Sequence, residues 1–170
     1  MDNNIRVFFI ASEDYGRISN DLLRQIAVLR WGYDENKLDS WINALRNDPF
    51  GLTSFYVFAV KGEMDLRNSK DINIVGFAYF CQDENDENQW YYGDLVVHSK
   101  YRRKGIATKI IDVSMRELQE RKALKLFTYI DKDNKSSILL HEKLSFHPNE
   151  NQANINGFDK NDRIVYERIV

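Results

Sequence analysis

Apolar positions recur along this chain with two periods. Ile5 to Ala11 is a short, nearly continuous run of β-branched and aromatic residues and predicts a first strand. Leu22, Leu23, Ile26 and Leu29 then recur at helical spacing, with Ser19 or Asn20 available to cap the start. A second helix begins near Glu35, where Leu38, Trp41, Ile42 and Leu45 form a stripe that Asn47-Asp48-Pro49 closes. Tyr33 and Trp41 either line a ligand pocket or join the core. Ser54 to Lys61 and Ile72 to Gln82 predict strands joined by a polar loop, Gly62 to Asp71. The acidic segment Asp83 to Asn88 then reads as a solvated hairpin tip.

The stretch from Trp90 to Arg121 organises the rest. In its first part Tyr91, Gly93, Leu95 and Val97 alternate with Tyr92, Asp94, Val96 and His98, and both sets are rich in apolar residues, which predicts a strand buried on both faces. In its second part Ala107, Ile110, Ile111, Ser114, Met115 and Leu118 share one helical face, and Lys109, Asp112, Arg116, Gln119 and Glu120 the other. Ala123 to Ile130 predicts another buried strand, Asp131 to Asn134 a polar turn, and Lys135 to Leu144 a short helix. On that helix Ser137, Leu140, His141 and Leu144 share a face. Asn149 to Asn161 reads as a loop before a last strand, Arg163 to Ile169.

Composition narrows the classes. A chain of 170 residues, 43% hydrophobic, can bury one sizeable core, so a single domain over 1–170 is expected. A net charge of −2 opposes general binding to nucleic acid or an anionic membrane and favours a small ligand. With one cysteine, Cys81, there is no intramolecular disulfide, and no Cys or His spacing suits a metal. The start of the chain has no leader-like apolar run, and no segment reaches the roughly 20 apolar residues of a membrane span. A cytoplasmic protein is expected, and the sequence leaves a homodimer open.

Chemistry enters in the turn Arg102-Arg103-Lys104-Gly105-Ile106-Ala107. A helix N-terminus presents unpaired N–H groups and partial positive charge, and a residue without a side chain lets a bulky anion approach them. Gly105 supplies that access, and three adjacent cations strengthen the field for a phosphate. A strand-to-helix turn with a solvated basic surface is the plainer reading. A phosphate-binding loop of the nucleotide type is weak, because the Gly-Lys-Ser/Thr ending is missing.

From Ile72 to Phe146 the order of elements resembles the GNAT superfamily of N-acetyltransferases. Arg102, Gly105 and Ala107 meet that family's motif of Arg or Gln, two residues, Gly, one residue, Gly or Ala, and Asn134 to Phe146 is similar to its asparagine, short helix and glycine-phenylalanine. The resemblance implies an α/β (α+β) single domain. Its central sheet would be mixed and mostly antiparallel, flanked by helices, with a splay between strands four and five. It further implies that backbone groups of Leu95, Val96 and Val97 hold the pantetheine arm of acetyl-CoA. Arg102, Arg103, Lys104, Gly105, Ile106, Ala107 and Thr108 would hold its pyrophosphate, with Asn134 near the arm. A strand-four N–H, here that of Val97 or a neighbour, would stabilise the oxyanion.

Departures from the family pattern concern catalysis. The glutamate or histidine base common in early strand four is replaced by Tyr91 and Gly93 on the face of Leu95. Asp94 falls on the opposite face by alternation, so a direct catalytic role and a structural one both stand. The family's tyrosine, which protonates the departing thiolate, is replaced by His141, and Ser145 takes the usual glycine's place. Histidine can donate a proton near neutral pH. It can equally be a core residue bonded to a neighbour such as Ser137. The implied function is acetyl transfer from acetyl-CoA, without metal, to a primary amine of a small molecule, peptide or protein. The alternative is an acyl-CoA-binding sensor or structural domain with little turnover.

Overall fold

The computed structural model describes residues 4–47, 53–62, 73–149 and 163–170. Asp48, Pro49, the loop residues 63–71, Ile72 and the Asn-rich stretch 150–161 lie outside them. The described elements are β1 (Ile5–Ala11), a 3₁₀ turn (Ser12–Arg17), α1 (Asn20–Trp31), α2 (Glu35–Arg46), β2 (Ser54–Lys61), β3 (Asn73–Gln82) and β4 (Gln89–Val97). A second 3₁₀ turn (Ser99–Tyr101), α3 (Ile106–Glu120), β5 (Lys125–Asp131), α4 (Lys135–Lys143), β6 (His147–Pro148) and β7 (Arg163–Ile169) follow. The strands form a sheet in the order β1-β2-β3-β4-β5-β7-β6. Pairing is antiparallel for β1/β2, β5/β7 and β6/β7, and parallel for β4/β5. This is a mixed α+β sheet.

Two compact units divide the chain, Met1–Tyr79 with Asp94–Ser114, and Phe80–Gly93 with Met115–Val170. In the first, Ser19 caps α1 by accepting the Leu22 N–H at 3.3 Å, and Asp34 caps α2 by accepting that of Asn36 at 3.1 Å. α1 buries Leu22, Leu23, Ile26 and Ala27, and α2 buries Leu38, Ile42 and Leu45. A twelve-residue helix is marginal alone, whereas each buried Leu or Ile contributes roughly 1.5–3 kcal/mol, so the stripes decide both helices. β3 carries Gly76 where a side chain would be crowded. A Cβ there would lie 3.0 Å from the Val96 carbonyl oxygen and 3.3 Å from Ile106 and Ile110. The glycine lets the first turns of α3 seat against the sheet beside β4.

The second unit holds the hairpin tip, the rest of α3 and the elements from β5 onward. Asp83 accepts the Asn85 N–H at 2.8 Å, and Asp86 accepts that of Asn88 at 3.0 Å. The acidic residues thus fold their own turn, and those hydrogen bonds hold the Asp86 carboxyl below its usual range. Phe127 and Val165 centre a core flanked by Tyr91 and Tyr129. β6 is two residues long and contains Pro148, too short for any sequence period to reveal.

Two expectations need correction. β4 is not buried on both faces: Trp90 and Tyr92 are buried, but Gly93 to Val97 are only half-buried. β5 begins at Lys125, not Ala123. Lys122 takes φ +60°, its N–H reaches the Gln119 carbonyl, and the Ala123 N–H reaches that of Leu118, which closes α3 and removes Ala123 from the strand.

Candidate active site

Strand β4 changes character halfway. Its register on β5 runs through Gln89↔Lys125, Trp90↔Leu126 and Tyr91↔Phe127 and stops there, although both strands continue. On the other side β4 is held to its end, since the His98 N–H donates to the Val75 carbonyl at 2.9 Å. Asp94 then adopts φ +57°, a left-handed conformation rare for a strand residue. This irregularity interrupts the regular extended geometry of β4 at Asp94. Asp94 is ion-paired with Arg30 of α1. Burial raises its carboxyl above the ordinary range, and the Arg30 charge works against that rise.

Beyond Asp94 the first unit contains a cavity of about 530 Å³. Val28 and Leu29 of α1 and Val96 and Val97 of β4 line its apolar wall, while Arg24 and Arg102 contribute cations. The Arg102 Nε–H donates to the Val97 carbonyl at 3.0 Å, stitching the basic turn to the end of β4. His98, which the sequence reading left without a role, accepts the Lys100 N–H through Nδ1 at 3.2 Å and so caps the 3₁₀ turn. Arg103 and Gly105 both take positive φ, +61° and +76°. A Cβ built on Gly105 would project into open space. The Lys109 N–H to Gly105 carbonyl bond, 3.0 Å, begins α3, so the N–H groups of Ile106, Ala107 and Thr108 precede the helix's own ladder. Lys104 and Lys61 place their ammonium groups 5.2 and 6.0 Å from the Tyr101 ring centre. An open, positively charged helix start near this cavity suits a phosphate-bearing ligand.

The second unit contains the other expected site residues. Asn134 caps α4, its Oδ1 accepting the Ser137 N–H at 3.1 Å. His141 is 3% exposed. Its Nδ1 lies 2.6 Å from the Ser137 carbonyl oxygen, which can only accept, so Nδ1 carries the hydrogen and Nε2 accepts from the Tyr92 hydroxyl. Desolvation lowers the imidazole pKa, the Ser137 carbonyl partly offsetting it, and burial raises the Tyr92 phenol well above its usual value. His141 also stacks on Tyr92 and meets Phe146 edge-on at 5.3 Å. Its ring is occupied at both nitrogens. Thus the first unit brings together Asp94, Leu95 to Val97 and Arg102 to Thr108, whereas Asn134 and His141 belong to the second. Cys81 is buried and free of any disulfide. Among the described residues no cluster of three His, Cys, Asp or Glu could hold a metal ion. No described helix is long and apolar enough to cross a membrane.

Residues 20–146 match the model of the Acetyltransferase (GNAT) family, and the chain belongs to that family of acyl-CoA-dependent transferases. An acetyltransferase from Streptococcus agalactiae superposes with a TM-score of 0.69 at 14% identity, covering 98% of this chain and 99% of that one. A GNAT-family acetyltransferase from Staphylococcus aureus gives 0.66 at 16% identity, covering 97% and 98%. The PaiA N-acetyltransferase of Thermoplasma acidophilum, solved in complex with coenzyme A, gives 0.60 at 14% identity over 98% and 99%. At these identities the likeness is one of fold. No curated protein matches the sequence.

Proposed function

We propose that this chain transfers an acetyl group from acetyl-CoA directly to a primary amine of a small molecule, peptide or protein. The observation that carries the reading is the second half of β4: its pairing with β5 ends at Tyr91, and its half-buried residues lead along the cavity to the open N-terminus of α3. Arg102, Arg103, Lys104 and Gly105, with the N–H groups of Ile106, Ala107 and Thr108, are assigned the pyrophosphate, and Leu95 to Val97 the pantetheine. Bound there, acetyl-CoA supplies an activated acyl group. The PaiA complex with coenzyme A supports that ligand for the fold. A strand-four N–H near Val97 is assigned to oxyanion stabilisation, and Asp94 to acceptance of a proton from the incoming ammonium.

His141 is assigned a positioning role, supported by its two engaged nitrogens and its burial. That leaves the departing thiolate without a side-chain acid at this place, an observation that favours the second reading, an acyl-CoA-binding domain with little turnover. Proximity alone can still drive transfer to an amine that arrives deprotonated. We treat 1–170 as one transferase domain acting in the cytoplasm, since the family match draws on both units. The experiment is a thiol-release screen with acetyl-CoA against polyamines, aminoglycosides, amino acids and short peptides. Amine-dependent CoA release supports transfer, and binding without release in every case supports the sensor.

A further inference from the structure

Two indoles and a guanidinium in the first unit are in successive contact and lead to Asp94. The C-cap of α1 is Gly32 at φ +83°, whose N–H closes on the Val28 carbonyl at 2.9 Å, so Arg30 and Trp31 occupy the last turn. The Trp31 indole stacks on Trp41 of α2 with ring centres 5.2 Å apart and planes 27° from parallel. Above the Trp31 ring, at 4.2 Å, lies the Arg30 guanidinium carbon. One terminal nitrogen of that guanidinium pairs with Asp94, while its Nε is buried with no hydrogen-bond partner among the described residues.

This arrangement is poorly explained as a device for stability. An ion pair alone does not call for this geometry: Asp94 stands at left-handed φ +57° and the buried Arg30 Nε has no partner among the described residues, and irregularities of this kind collect at functional positions. A guanidinium held over an indole and paired with a carboxylate keeps few orientations, so its charge is presented to Asp94.

We infer that Arg30 is the positioning residue of Asp94: the Trp41–Trp31 stack fixes the guanidinium, and the guanidinium fixes the orientation and the ionisation of the carboxylate at the break in β4. The inference rests on the reading that Asp94 takes the acceptor's proton. Among the described charged groups Arg30 is the one that acts on Asp94, and burial, the larger influence, opposes it. Removing Arg30 therefore leaves burial unopposed, and the carboxyl binds its proton more tightly.

The test is carboxyl-carbon NMR titration of the whole protein, with the Asp94 signal assigned by its loss in Asp94→Asn. Arg30→Met is expected to raise the proton affinity of Asp94 about tenfold. Trp31→Ala should move it the same way by less, and Arg30→Lys, which keeps the charge, should return it toward the wild-type value. Should Arg30→Met fail to fold, Arg30→Gln reads the same change. A folded, uncharged variant with the wild-type midpoint overturns the inference. Acetyl-CoA calorimetry on the wild-type protein separates the two claims: no binding there, with the Arg30-dependent midpoint intact, defeats the acetyltransferase reading and leaves the Arg30–Asp94 relation standing.

Discussion

Nδ1 of His141 lies 2.6 Å from the carbonyl oxygen of Ser137, one helical turn earlier, and this contact fixes the tautomer of a buried ring. The imidazole pKa is below its ordinary value of 6.5, with desolvation the first cause. A base held neutral in the fold protonates more readily when the chain unfolds. Its stability contribution is therefore complete above about pH 6.5 and is lost as pH falls through the folded value. His141→Phe should flatten the fall in Tm between pH 7.5 and pH 5. It should also lower Tm at pH 7.5, because the buried Tyr92 hydroxyl loses its bond to His141 and keeps that with Thr128, a loss of about 1 kcal/mol. A variant with unchanged Tm and a 10²-fold lower kcat would return His141 to the role of proton donor.

Ser145 stands at φ +63° at the end of α4. The Phe146 N–H reaches the His141 carbonyl at 2.9 Å and the Ser145 N–H that of Glu142 at 3.0 Å, the bonding of a left-handed helix stop. Phe146 and His141 supply the ring contact that accompanies it. Replacement of the usual glycine by serine thus carries strain. Ser145→Gly should stabilise the protein by about 1 kcal/mol, read as a Tm rise of roughly 2–4 °C. A lower Tm would show that the serine contributes something the backbone does not explain.

Much of this was legible in the sequence. β1, α2, β2 and β7 lie where apolar periods and caps put them, and the Arg102 to Ala107 turn does open α3. What stayed hidden depends on single backbone angles or on distant partners. Nothing in the letters around Asp94 announces φ +57°, because aspartate in a strand carries no such signal. Likewise, nothing in the sequence pairs Arg30 with Asp94, and for His141 it leaves a proton donor and a core residue bonded to Ser137 both open, whereas the fold joins the ring to Tyr92 and Ser137. Gly76 was readable in principle, since a glycine inside a strand marks a close approach, here that of Val96 and α3.

Gly76→Val tests that approach. With Ile106 and Ile110 side chains 3.3 Å from the position of a Cβ, the added side chain must displace the start of α3. Overpacking of this kind costs about 1–3 kcal/mol, and thermal unfolding should show it. Acetyl-CoA affinity should fall as well, because the same turn presents the N–H groups assigned to the pyrophosphate. Wild-type stability and affinity would separate the seat of α3 from the site.

Cys81 is buried at the end of β3 and lies outside the proposed chemistry. In direct transfer no covalent enzyme intermediate forms, so Cys81→Ala should retain amine-dependent CoA release. Loss of all release with acetyl-CoA binding intact would point instead to an acyl-cysteine step.

The most direct measurement is calorimetric titration of acetyl-CoA into the wild-type protein and into Gly105→Val. At φ +76°, with open space where its Cβ would be, Gly105 leaves the first N–H groups of α3 approachable, and a valine would both strain the turn and occupy that space. The expected result is saturable wild-type binding that weakens at least tenfold, about 1.4 kcal/mol, in a variant that remains folded. Equal affinity in the two proteins would contradict the account and put the cofactor elsewhere on the chain.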